Sequence, residues 1–434
     1  MKILQVVHYF PPSGLGGSEL YTCQLSKELL KTHDVRLFFT IPDDNGSEKI
    51  KLGSYDGIPY RALKKDYCTF DQPFHERSKW VEREFTKTLD DFKPDIVHFQ
   101  HLINLSLTLP SLAKRKGIAT CFTLHDFWLL CPRIFLLTRS RELCRGYAPE
   151  RCLECLADHT GYYAMQSTGI LPLRVMKQTV KYAINVKKKY CNFFSLAWWR
   201  PYFIKKIAAD TDVFIAPSHF LREKYIQSGM PADKILFCRH GFDQTLLGNI
   251  EKSPSKFLRF AYIGSILHHK GIHVLIDAFN RIPPSHELKI YGPLHPHVKK
   301  EFEEKITNPR VLFMGELKKE DKRKAFSEID ILILPSICYE NCPIVINEAF
   351  MTKTPVIVSD LGGMAELVEN GRTGFTFPAG DAQSLAEKIN MFIRNPVLLQ
   401  SLAAHIPAVK DMQTHAAELS ALYKKTAGHH HERL

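Results

Sequence analysis

Two glutamates, Glu340 and Glu348, lie eight positions apart in the stretch CYENCPIVINEAF, residues 338–350. Pro343 restricts the backbone between them, and the apolar run that follows it is typical of a helix, which places Glu348 in the first turns of that helix. Ionised carboxylates accept hydrogen bonds and do not donate them. The pair therefore suits a ligand that presents hydroxyl donors.

A glycine-rich segment, PPSGLGGSEL, occupies residues 11–20. Glycines allow a ligand to approach the backbone closely, and the end of the segment opens a helix whose first N–H groups suit an anion. A dinucleotide fingerprint that begins with Gly14 and Gly16 requires a third glycine at position 19, where the chain has Glu19. The segment therefore predicts an anion-binding helix start and not a nicotinamide site, with a plain glycine-rich turn as the alternative.

The second half of the chain has comparable junctions between a strand and a helix. In YIGSILHHKGIHVLIDAF, residues 262–279, Gly264 ends a strand and Lys270 precedes an amphipathic helix. A lysine at a helix start can pair with phosphate, although a solvated surface lysine is the alternative. Another junction, residues 360–375, again places glycines at a helix start. Because of its lysine, the junction at residues 262–279 is a candidate phosphate site.

Short apolar runs alternate with helical patterns along the chain, which predicts parallel sheets with helices on both faces. A polar stretch at residues 251–256 separates two sets of runs, so we expect an α/β fold with two doubly wound, Rossmann-like domains. In such sheets ligands bind at the carboxyl ends of the strands. The predicted strands are residues 2–10, 34–40, 95–101, 118–126 and 212–218 in the first set, and residues 258–265, 287–293, 311–317, 330–336 and 355–360 in the second.

Five motifs in order along both halves resemble the retaining, two-domain glycosyltransferases of family GT4 (glycosyl transferases group 1), which have the GT-B fold. The resemblance implies two Rossmann-like domains that face a central cleft. We expect an N-terminal acceptor domain at residues 1–245, a C-terminal nucleotide-sugar-binding domain at residues 246–405, and a helix at residues 406–425 that packs back on the first domain. The motifs are GGSE (16–19), HD (125–126), HKG (269–271), E-x7-E (340–348) and GGMAELVENGRTGF (362–375).

The resemblance also implies a site for a nucleotide-sugar donor. Glu340 would accept hydrogen bonds from the hydroxyls of the donor sugar, and Glu348 would hold the ribose. His125 would lie near the sugar and the acceptor, while backbone amides and Lys270 would stabilise the leaving diphosphate. No metal is implied for the chemistry. The implied catalytic residues are His125 and Glu340, and the implied donor-binding residues are Gly16, Gly17, Arg239, Lys270, Glu340, Cys342, Ile344, Val345 and Glu348.

Two positions depart from the family pattern. Ser265 follows Gly264 where many relatives carry an arginine that pairs with the diphosphate, so either Lys270 acts with less help or Arg239 substitutes. His240 stands where relatives often have asparagine. Neither residue conflicts with the predicted fold.

Four of the eleven cysteines lie in residues 131–156, shortly after His125. Their spacing is C-x12-C-x7-C-x2-C, and four thiols that include a Cys-x2-Cys pair suit zinc or an iron–sulfur cluster. A metal would also order a loop that is long for a compact domain. We expect a structural metal with zinc as the first choice, and unpaired thiols or a redox disulfide are the alternatives. The four residues are Cys131, Cys144, Cys152 and Cys155.

A second unusual segment is the insertion at residues 159–209. Residues 160–209 contain no Asp or Glu, and aromatic residues such as Trp198, Trp199 and Phe203 lie among their cations. This composition suits an anionic membrane surface. A solvated basic helix is the alternative, and nucleic acid is a rival partner that no recognisable motif supports. The cations are Arg174, Lys177, Lys181, Lys187, Lys188, Lys189, Arg200, Lys205 and Lys206.

Composition limits the class of protein. Hydrophobic residues make up 45% and charged residues 24% of the 434, as in an ordinary globular chain, and no uninterrupted apolar run is long enough to span a membrane. The first residues lack the pattern of a signal peptide. We therefore expect a cytoplasmic protein. Together with the basic insertion, the resemblance to family GT4 implies an enzyme, peripherally associated with the inner face of the membrane, that transfers a sugar from a nucleotide-sugar to a lipid-linked or envelope glycan. A soluble transferase that makes a small glycoside and a non-catalytic sugar-nucleotide-binding regulator are the alternatives.

Overall fold

The computed structural model describes most of the chain, and it forms two compact units. The first unit comprises Met1–Ala216, Arg222–Cys238 and Ala416–Leu434, and the second comprises Pro217–Leu221 and Arg239–His415. The described residues are 1–14, 16–44, 46, 48–65, 78–131, 133–138, 140–152, 155, 191–248, 250–294 and 296–431, with the backbone alone at 191–199, 296–297 and 429–431.

The first unit contains an eight-stranded sheet in the order β3-β4-β2-β1-β5-β6-β7-β8. All neighbouring strands are parallel except β3 and β4, which form an antiparallel hairpin. The strands are β1 (Lys2–Val6), β2 (Asp34–Pro42), β3 (Ile50–Tyr55), β4 (Ile58–Lys65), β5 (Ile96–Phe99), β6 (Ala119–Thr123), β7 (Val213–Ala216) and β8 (Ile235–Phe237).

The centre of this sheet is held by an aromatic ladder. Phe99, Phe122 and Phe214 are register partners on β5, β6 and β7. Their rings stack with centroid separations of 6.0 and 5.8 Å. Cross-strand aromatic pairs stabilise neighbouring strands and fix their register. The ladder therefore aligns the carboxyl ends of these strands, where the polar residues of the first unit lie.

The second unit contains a six-stranded, fully parallel sheet in the order β11-β10-β9-β12-β13-β14. This is the doubly wound order 3-2-1-4-5-6, so its topological switch point lies between β9 and β12. Side chains of β12 alternate between two hydrophobic cores, which explains its unbroken apolar sequence. The strands are β9 (Arg259–Ile263), β10 (Glu287–Tyr291), β11 (Val311–Gly315), β12 (Ile331–Leu334), β13 (Val356–Ser359) and β14 (Gly374–Phe377).

The helices begin and end where local sequence signals allow. In the second helix, for example, buried Val81, Phe85 and Leu89 repeat every four residues on one face, and the Ser78 hydroxyl accepts the Val81 N–H at 3.5 Å. The described helices are α1 (Gly17–Leu30), α2 (Lys79–Phe92), α3 (Leu109–Arg115), α4 (Cys191–Asp210), α5 (His219–Gln227), α6 (Ile272–Phe279), α7 (Pro296–Glu304), α8 (Lys322–Ser327), α9 (Ile344–Met351), α10 (Gly362–Ala365), α11 (Ala382–Arg394), α12 (Val397–His405) and α13 (Met412–His431), with 3-10 turns at Ala232–Lys234 and His268–Lys270.

The predicted α/β class is confirmed, and each of the ten predicted strands is present. Nine are shorter than predicted, and β2 extends two residues further, to Pro42. Four further strands, β3, β4, β8 and β14, were not predicted. The hairpin of β3 and β4 turns at Asp56 and Gly57, whose φ angles are +48° and +83°. A two-residue Asp-Gly turn with two positive φ angles matches the twist of antiparallel strands. Among the described residues, no helix is long and apolar enough to cross a membrane.

Candidate active site

The switch point of the second unit is formed by the segments that follow β9 and β12. After β9, a 3-10 turn at His268–Lys270 ends at Gly271, whose φ is +74°. A Cβ atom at Gly271 would lie 1.8 Å from the carbonyl oxygen of Pro335, just beyond β12. Only glycine therefore allows the two segments to approach this closely. The close approach brings Lys270 beside the loop that carries Glu340.

Lys270 and Glu340 form an ion pair across this switch point. The Lys270 Nζ atom lies 2.5 Å from Oε1 of Glu340, and each side chain retains 18% of its exposure. The Ser336 hydroxyl donates to the same carboxylate oxygen at 3.0 Å. Burial opposes the charge of Lys270, but the Glu340 carboxylate outweighs it and raises the lysine pKa above its ordinary value. A fixed cation and a fixed carboxylate thus share one partly exposed position.

The loop that carries Glu340 is fixed by the glycines of α10. The Gly363 N–H donates to the Glu340 carbonyl at 2.8 Å. A Cβ atom at Gly363 would lie 2.1 Å from the carbonyl oxygen of Asn341. The predicted glycine-rich junction at 360–375 is therefore a support for the Glu340 loop.

Glu348 lies in α9, as the sequence predicts, and its carboxylate pairs with Lys322 of α8. Glu348 is buried. A buried carboxylate with one cationic partner retains lone pairs for further hydrogen bonds. The sequence analysis did not single out Lys322, because a basic run at a helix start resembles an ordinary solvated surface.

The other predicted donor-binding residues of the second unit surround the start of α9. Ile344 and Val345 are its first two residues, and Pro343 at the N-cap contributes no side-chain cap. Early helical N–H groups without a cap are suited to an anion. Burial raises the pKa of the Cys342 thiol to about 11, and the positive charge of Arg239 acts in the opposite direction. Arg239 and Cys342 are therefore neighbours, and Cys342 remains a neutral thiol.

The two departures from the family pattern have local structural roles. The carbonyl of Ser265 accepts the hydroxyl of Tyr262 at 2.8 Å, which holds the segment after Gly264 against β9. His240 is buried, and its ring lies 5.9 Å from that of His415. Both residues thus contribute to packing within the second unit.

His125 lies in the first unit, at the carboxyl end of β6, and bonds to a glutamine. Its Nε2 atom lies 2.8 Å from Oε1 of Gln100, and the Gln100 amide group donates to Gln5 at 2.9 Å. Because a glutamine oxygen only accepts, Nε2 of His125 carries the proton and the lone pair is on Nδ1. Burial lowers the pKa of His125 to about 3, although the charge of Asp126 favours protonation. His125 is therefore a neutral imidazole of defined tautomer.

The Gln100 amide belongs to a buried polar chain that extends to the C-terminal helix. Gln100 Nε2 lies 3.1 Å from Nδ1 of His98. His98 Nδ1 also lies 2.6 Å from the hydroxyl of Tyr423 in α13. The Thr123 hydroxyl lies 2.7 Å from the other ring nitrogen. Fully buried polar groups are costly unless each one is bonded, so the chain fixes the position of Gln100.

Asp126 and His101 form a second polar pair next to His125. The Ile103 N–H donates to Nδ1 of His101 at 3.1 Å, so the proton of His101 lies on Nε2, 3.2 Å from the Asp126 carboxylate. The Trp128 N–H donates to the same side chain at 2.7 Å. Burial disfavours the ionised form of Asp126, but His101 and this N–H lower its pKa below the usual value. Asp126 therefore stays ionised and fixes the turn after β6.

A third pair connects the glycine-rich segment to β1. The Glu19 carboxylate of α1 lies 3.2 Å from Nε2 of His8. Burial opposes ionisation of Glu19, but hydrogen bonds from His8 and Ser18 outweigh it and lower the pKa to about 2. Gly16 is the N-cap of α1 and Gly17 its first residue, and both are exposed. The N-terminus of α1 carries a positive partial charge and was predicted to bind an anion. The Glu19 carboxylate already neutralises part of that charge.

Sequence reasoning missed His8, Gln100 and His101. Gln100 and His101 end the predicted strand 95–101, and His8 lies in the predicted strand 2–10. Polar residues at the end of an otherwise apolar run were the available signal, because ligands bind at the carboxyl ends of parallel strands.

The structure holds the four loop cysteines as free thiols of intermediate burial. In the part of the chain that the structure describes, no three of them lie within 4.8 Å of one another.

Residues 159–190, most of the basic insertion that was predicted to contact a membrane surface, lie outside the described residues, and Lys187, Lys188 and Lys189 are among them. One of its assigned cations is corrected by the structure. Arg200 is buried, donates to the Leu129 carbonyl at 3.0 Å and lies over the Trp128 ring. This arginine therefore packs inside the first unit and is not available to a membrane surface.

Comparison with known proteins places this geometry in a family. The profile of Glycosyl transferases group 1 matches residues 243–408, and that of Glycosyltransferase Family 4 matches residues 15–152. The chain belongs to the group 1 glycosyltransferases. Both Glu340 and Glu348 lie within the first match, and His125 lies within the second. The predicted family is confirmed.

Proteins similar to this chain include the amylovoran biosynthesis glycosyltransferase AmsK of Erwinia amylovora, 26% identical over 192 residues, which are 42% of this chain and 47% of that protein. The phosphatidyl-myo-inositol mannosyltransferase of Mycobacterium leprae is 32% identical over 120 residues, 27% of this chain and 32% of that protein. The chain spans about half the length of the first curated relatives it matches.

Among solved structures, Anabaena HepE in complex with UDP and glucose matches with a TM-score of 0.64 at 19% identity. The match covers 98% of this chain and 100% of HepE. The likeness confirms the GT-B fold.

Proposed function

We propose that this chain is a retaining glycosyltransferase that moves a sugar from a nucleotide-sugar donor to a lipid-linked or envelope glycan acceptor at the cytoplasmic membrane surface. The observation that carries the proposal is the Lys270–Glu340 ion pair at the switch point of the second unit. A nucleotide-sugar presents an anionic diphosphate next to a ring of hydroxyl donors. The ion pair offers one partner for each.

In the proposed complex, the donor replaces part of the contact between the two charges. The Lys270 ammonium and the N–H groups of Ile344 and Val345 bind the diphosphate, whose negative charge increases as the sugar leaves. The Glu340 carboxylate accepts hydrogen bonds from sugar hydroxyls, and Glu348 accepts from the ribose. Arg239 supplies a further charge.

The first unit supplies the groups proposed to act near the acceptor. His125 is a neutral imidazole held by Gln100 through Nε2, and its proposed role is to orient a hydroxyl near the reacting sugar. Transfer takes place on one face of the sugar. The bond from the anomeric carbon to the phosphate oxygen breaks, the bond to the acceptor oxygen forms on the same face, and the acceptor proton passes to the leaving phosphate.

Two relatives support the acceptor class by their names, which refer to amylovoran and to phosphatidyl-myo-inositol. The basic, aromatic insertion supports a membrane-bound acceptor, since each cation near anionic headgroups contributes about 1 kcal/mol.

We expect vesicles with anionic lipid to co-sediment the protein more than neutral vesicles do, with binding that decreases as salt rises. Replacing Lys187, Lys188 and Lys189 with Gln should weaken this binding and leave donor hydrolysis intact. Equal binding to both vesicles, or none, would favour a small soluble acceptor.

The donor is identified by thermal shift with UDP-sugars, GDP-sugars and the free nucleotides. A donor at 100 times its Kd stabilises the folded state by about 2.7 kcal/mol, so a correct one raises the melting temperature clearly. Slow hydrolysis of that donor distinguishes an enzyme from a regulator that only binds. The configuration of the transferred sugar, read by NMR, tests retention. A product with inverted configuration would overturn the retaining mechanism. A donor that stabilises the protein but is never hydrolysed or transferred would overturn the proposal that the chain is an enzyme.

A further inference from the structure

Lys322 of α8 is a cation at a position where the helix faces the core. The buried residues of α8 are Ala325 and Phe326, which follow Lys322 by three and four positions. Side chains at these spacings share one face of a helix, so an apolar residue is the ordinary choice at position 322. Lys324 of the same helix, in contrast, is exposed. Lys322 is therefore not one of the solvated lysines of a helix surface.

The partner of Lys322 is the carboxylate of Glu348, which lies in a buried part of α9. Five consecutive residues of that helix, 346–350, are buried. The Lys322 Nζ atom contacts Oε1 of Glu348, and the two side chains retain 23% and 11% of their exposure. Replacing such a pair by apolar residues of similar volume is often neutral or stabilising, so stability does not explain why a chain has two charges there. A ligand that needs both charges does explain it.

The short helix that carries Lys322 is held near both of its ends. The guanidinium of Arg323 donates to the Gly248 carbonyl at 3.2 Å. The ammonium of Lys252 donates to the Phe326 carbonyl at 2.8 Å. These contacts fix the backbone of α8, so the ammonium of Lys322 can reach only a limited volume beside its carboxylate partner.

The two charged groups offer a donor and an acceptor side by side. A carboxylate only accepts hydrogen bonds and an ammonium only donates them, whereas a hydroxyl does both. Lys322 contacts Oε1 of Glu348, and no other side-chain hydrogen bond holds either charged group among the described residues. A vicinal diol matches this arrangement, because one hydroxyl can donate to the carboxylate while the oxygen of the other accepts from the ammonium.

The pair lies one helical turn beyond the proposed diphosphate site. Glu348 follows Ile344 by four residues, and Ile344 is the first residue of α9. Four residues of a helix correspond to about 6 Å along its axis. In a nucleoside diphosphate the ribose is the group next to the phosphates, and its 2′- and 3′-hydroxyls form a vicinal diol. The ribose of the proposed donor is therefore the diol that suits this position.

We propose that Lys322 and Glu348 together recognise both hydroxyls of the ribose diol, so that the donor is a ribonucleotide sugar and not a deoxyribonucleotide sugar. This inference rests on the proposed function and adds to it the class of donor and the residue that selects the class. One ribose hydroxyl donates to Glu348, and the oxygen of the other accepts from Lys322. A deoxyribose lacks one of these two contacts, and a site built to bond a hydroxyl rejects an analogue without it.

The test is a calorimetric titration of the full chain with UDP, GDP and ADP, each compared with its 2′-deoxy and 3′-deoxy analogues. For the nucleotide that binds, each analogue should bind about 10- to 150-fold more weakly, because one hydrogen bond to a charged group is lost. Thymidine diphosphate, which has no 2′-hydroxyl, should bind no more tightly than the 2′-deoxy analogues.

A substitution assigns one of the two contacts to Lys322. Lys322→Met removes the ammonium and keeps most of the length of the side chain. It should weaken the ribonucleotide about 10- to 150-fold, but the analogue that lacks the hydroxyl bound by Lys322 less than about threefold. Lys324→Met, at the exposed lysine of the same helix, is the matched control and should leave every Kd unchanged. A merely structural role of Lys322 predicts an equal loss for all three ligands.

Two outcomes would overturn this inference alone, provided that a ribonucleotide binds and its sugar is hydrolysed or transferred. One is deoxy analogues, or thymidine diphosphate, that bind as tightly as that ribonucleotide, and the other is an equal loss for all ligands in Lys322→Met. Binding of none of these nucleotides would overturn both the inference and the proposed function. If Lys322→Met folds poorly, the comparison of ribonucleotide and deoxy analogues in the wild-type protein still decides, because it needs no variant.

Discussion

The candidate site residues of the two units are held by different kinds of contact. In the second unit, Lys270 and Glu340 meet as opposite charges across a glycine that leaves no room for a side chain. In the first unit, His125 is held by the neutral amide of Gln100. Charged pairs respond strongly to an ionic ligand, whereas a neutral buried network fixes position and tautomer. The difference fits the proposed function, in which the donor carries charge and the acceptor hydroxyl does not.

Blocking the close approach of Gly271 to the Pro335 carbonyl should have the largest effect on the free energy of unfolding. Gly271→Ala places a Cβ atom against the Pro335 carbonyl at a positive φ, so we expect the second unit to lose about 3 kcal/mol of unfolding free energy. Gly380→Ala is the matched control, because φ is +85° there and no atom lies within 4 Å. The control should cost about 1 kcal/mol. Denaturant titration of both variants measures the difference, and equal losses would show that the close approach does not matter.

Neutralising the carboxylate of Glu340 or Glu348 should have the next largest effect, which is a decrease in kcat/KM. Glu340→Gln keeps the side-chain shape but removes charge-assisted hydrogen bonds worth about 1.5–3 kcal/mol, so kcat/KM should fall about 10- to 150-fold. Glu348→Gln should lower kcat/KM by roughly tenfold or more for the same reason. Glu328→Gln removes a partly exposed ion pair with Lys289 in the same unit and should leave kcat/KM unchanged. Unchanged kinetics in both Glu340→Gln and Glu348→Gln would rule out the donor site.

Substitution of His125 in the first unit should affect turnover more than donor affinity. We expect His125→Ala to lower kcat by about tenfold while the donor Kd changes much less, because the charges proposed to bind the donor lie in the second unit. Steady-state kinetics and calorimetric titration of the donor separate the two quantities. Loss of donor binding with normal turnover of bound donor would contradict the assigned position of His125.

The smallest effect concerns the residue that holds His125. With a pKa of about 3, His125 is neutral throughout the usual assay range, so the wild-type rate should not decrease in mild acid on its account. In Gln100→Glu the carboxylate stabilises the protonated imidazole and raises that pKa. At pH 8 the rate should change less than about threefold, and it should fall as the pH drops through the raised pKa. Gln100→Leu removes the bond without adding charge and should lower kcat equally at every pH.

Much of the fold could be predicted, because short apolar runs that alternate with helical patterns are compatible with few folds other than a parallel sheet covered by helices. The ten predicted strands, Lys270 and both glutamates lie at the expected junctions. The hairpin of β3 and β4 was missed although its Asp-Gly turn was a readable signal. The partners within the sites could not be predicted, since Lys322 with Glu348 and Gln100 with His125 are distant in sequence and only strand order brings them together.

The sequence by itself determined the class of fold, the family and the positions of the chemical groups, because hydrophobic period and glycine spacing act locally. Only the tertiary structure decided which groups are charged, which are neutral and which are hidden. Arg200 is basic in any reading of the sequence, yet packing places it against Trp128 and the Leu129 carbonyl. The physical reason is that burial and partner geometry set protonation and hydrogen bonding, and both arise from residues that meet only when the sheets close.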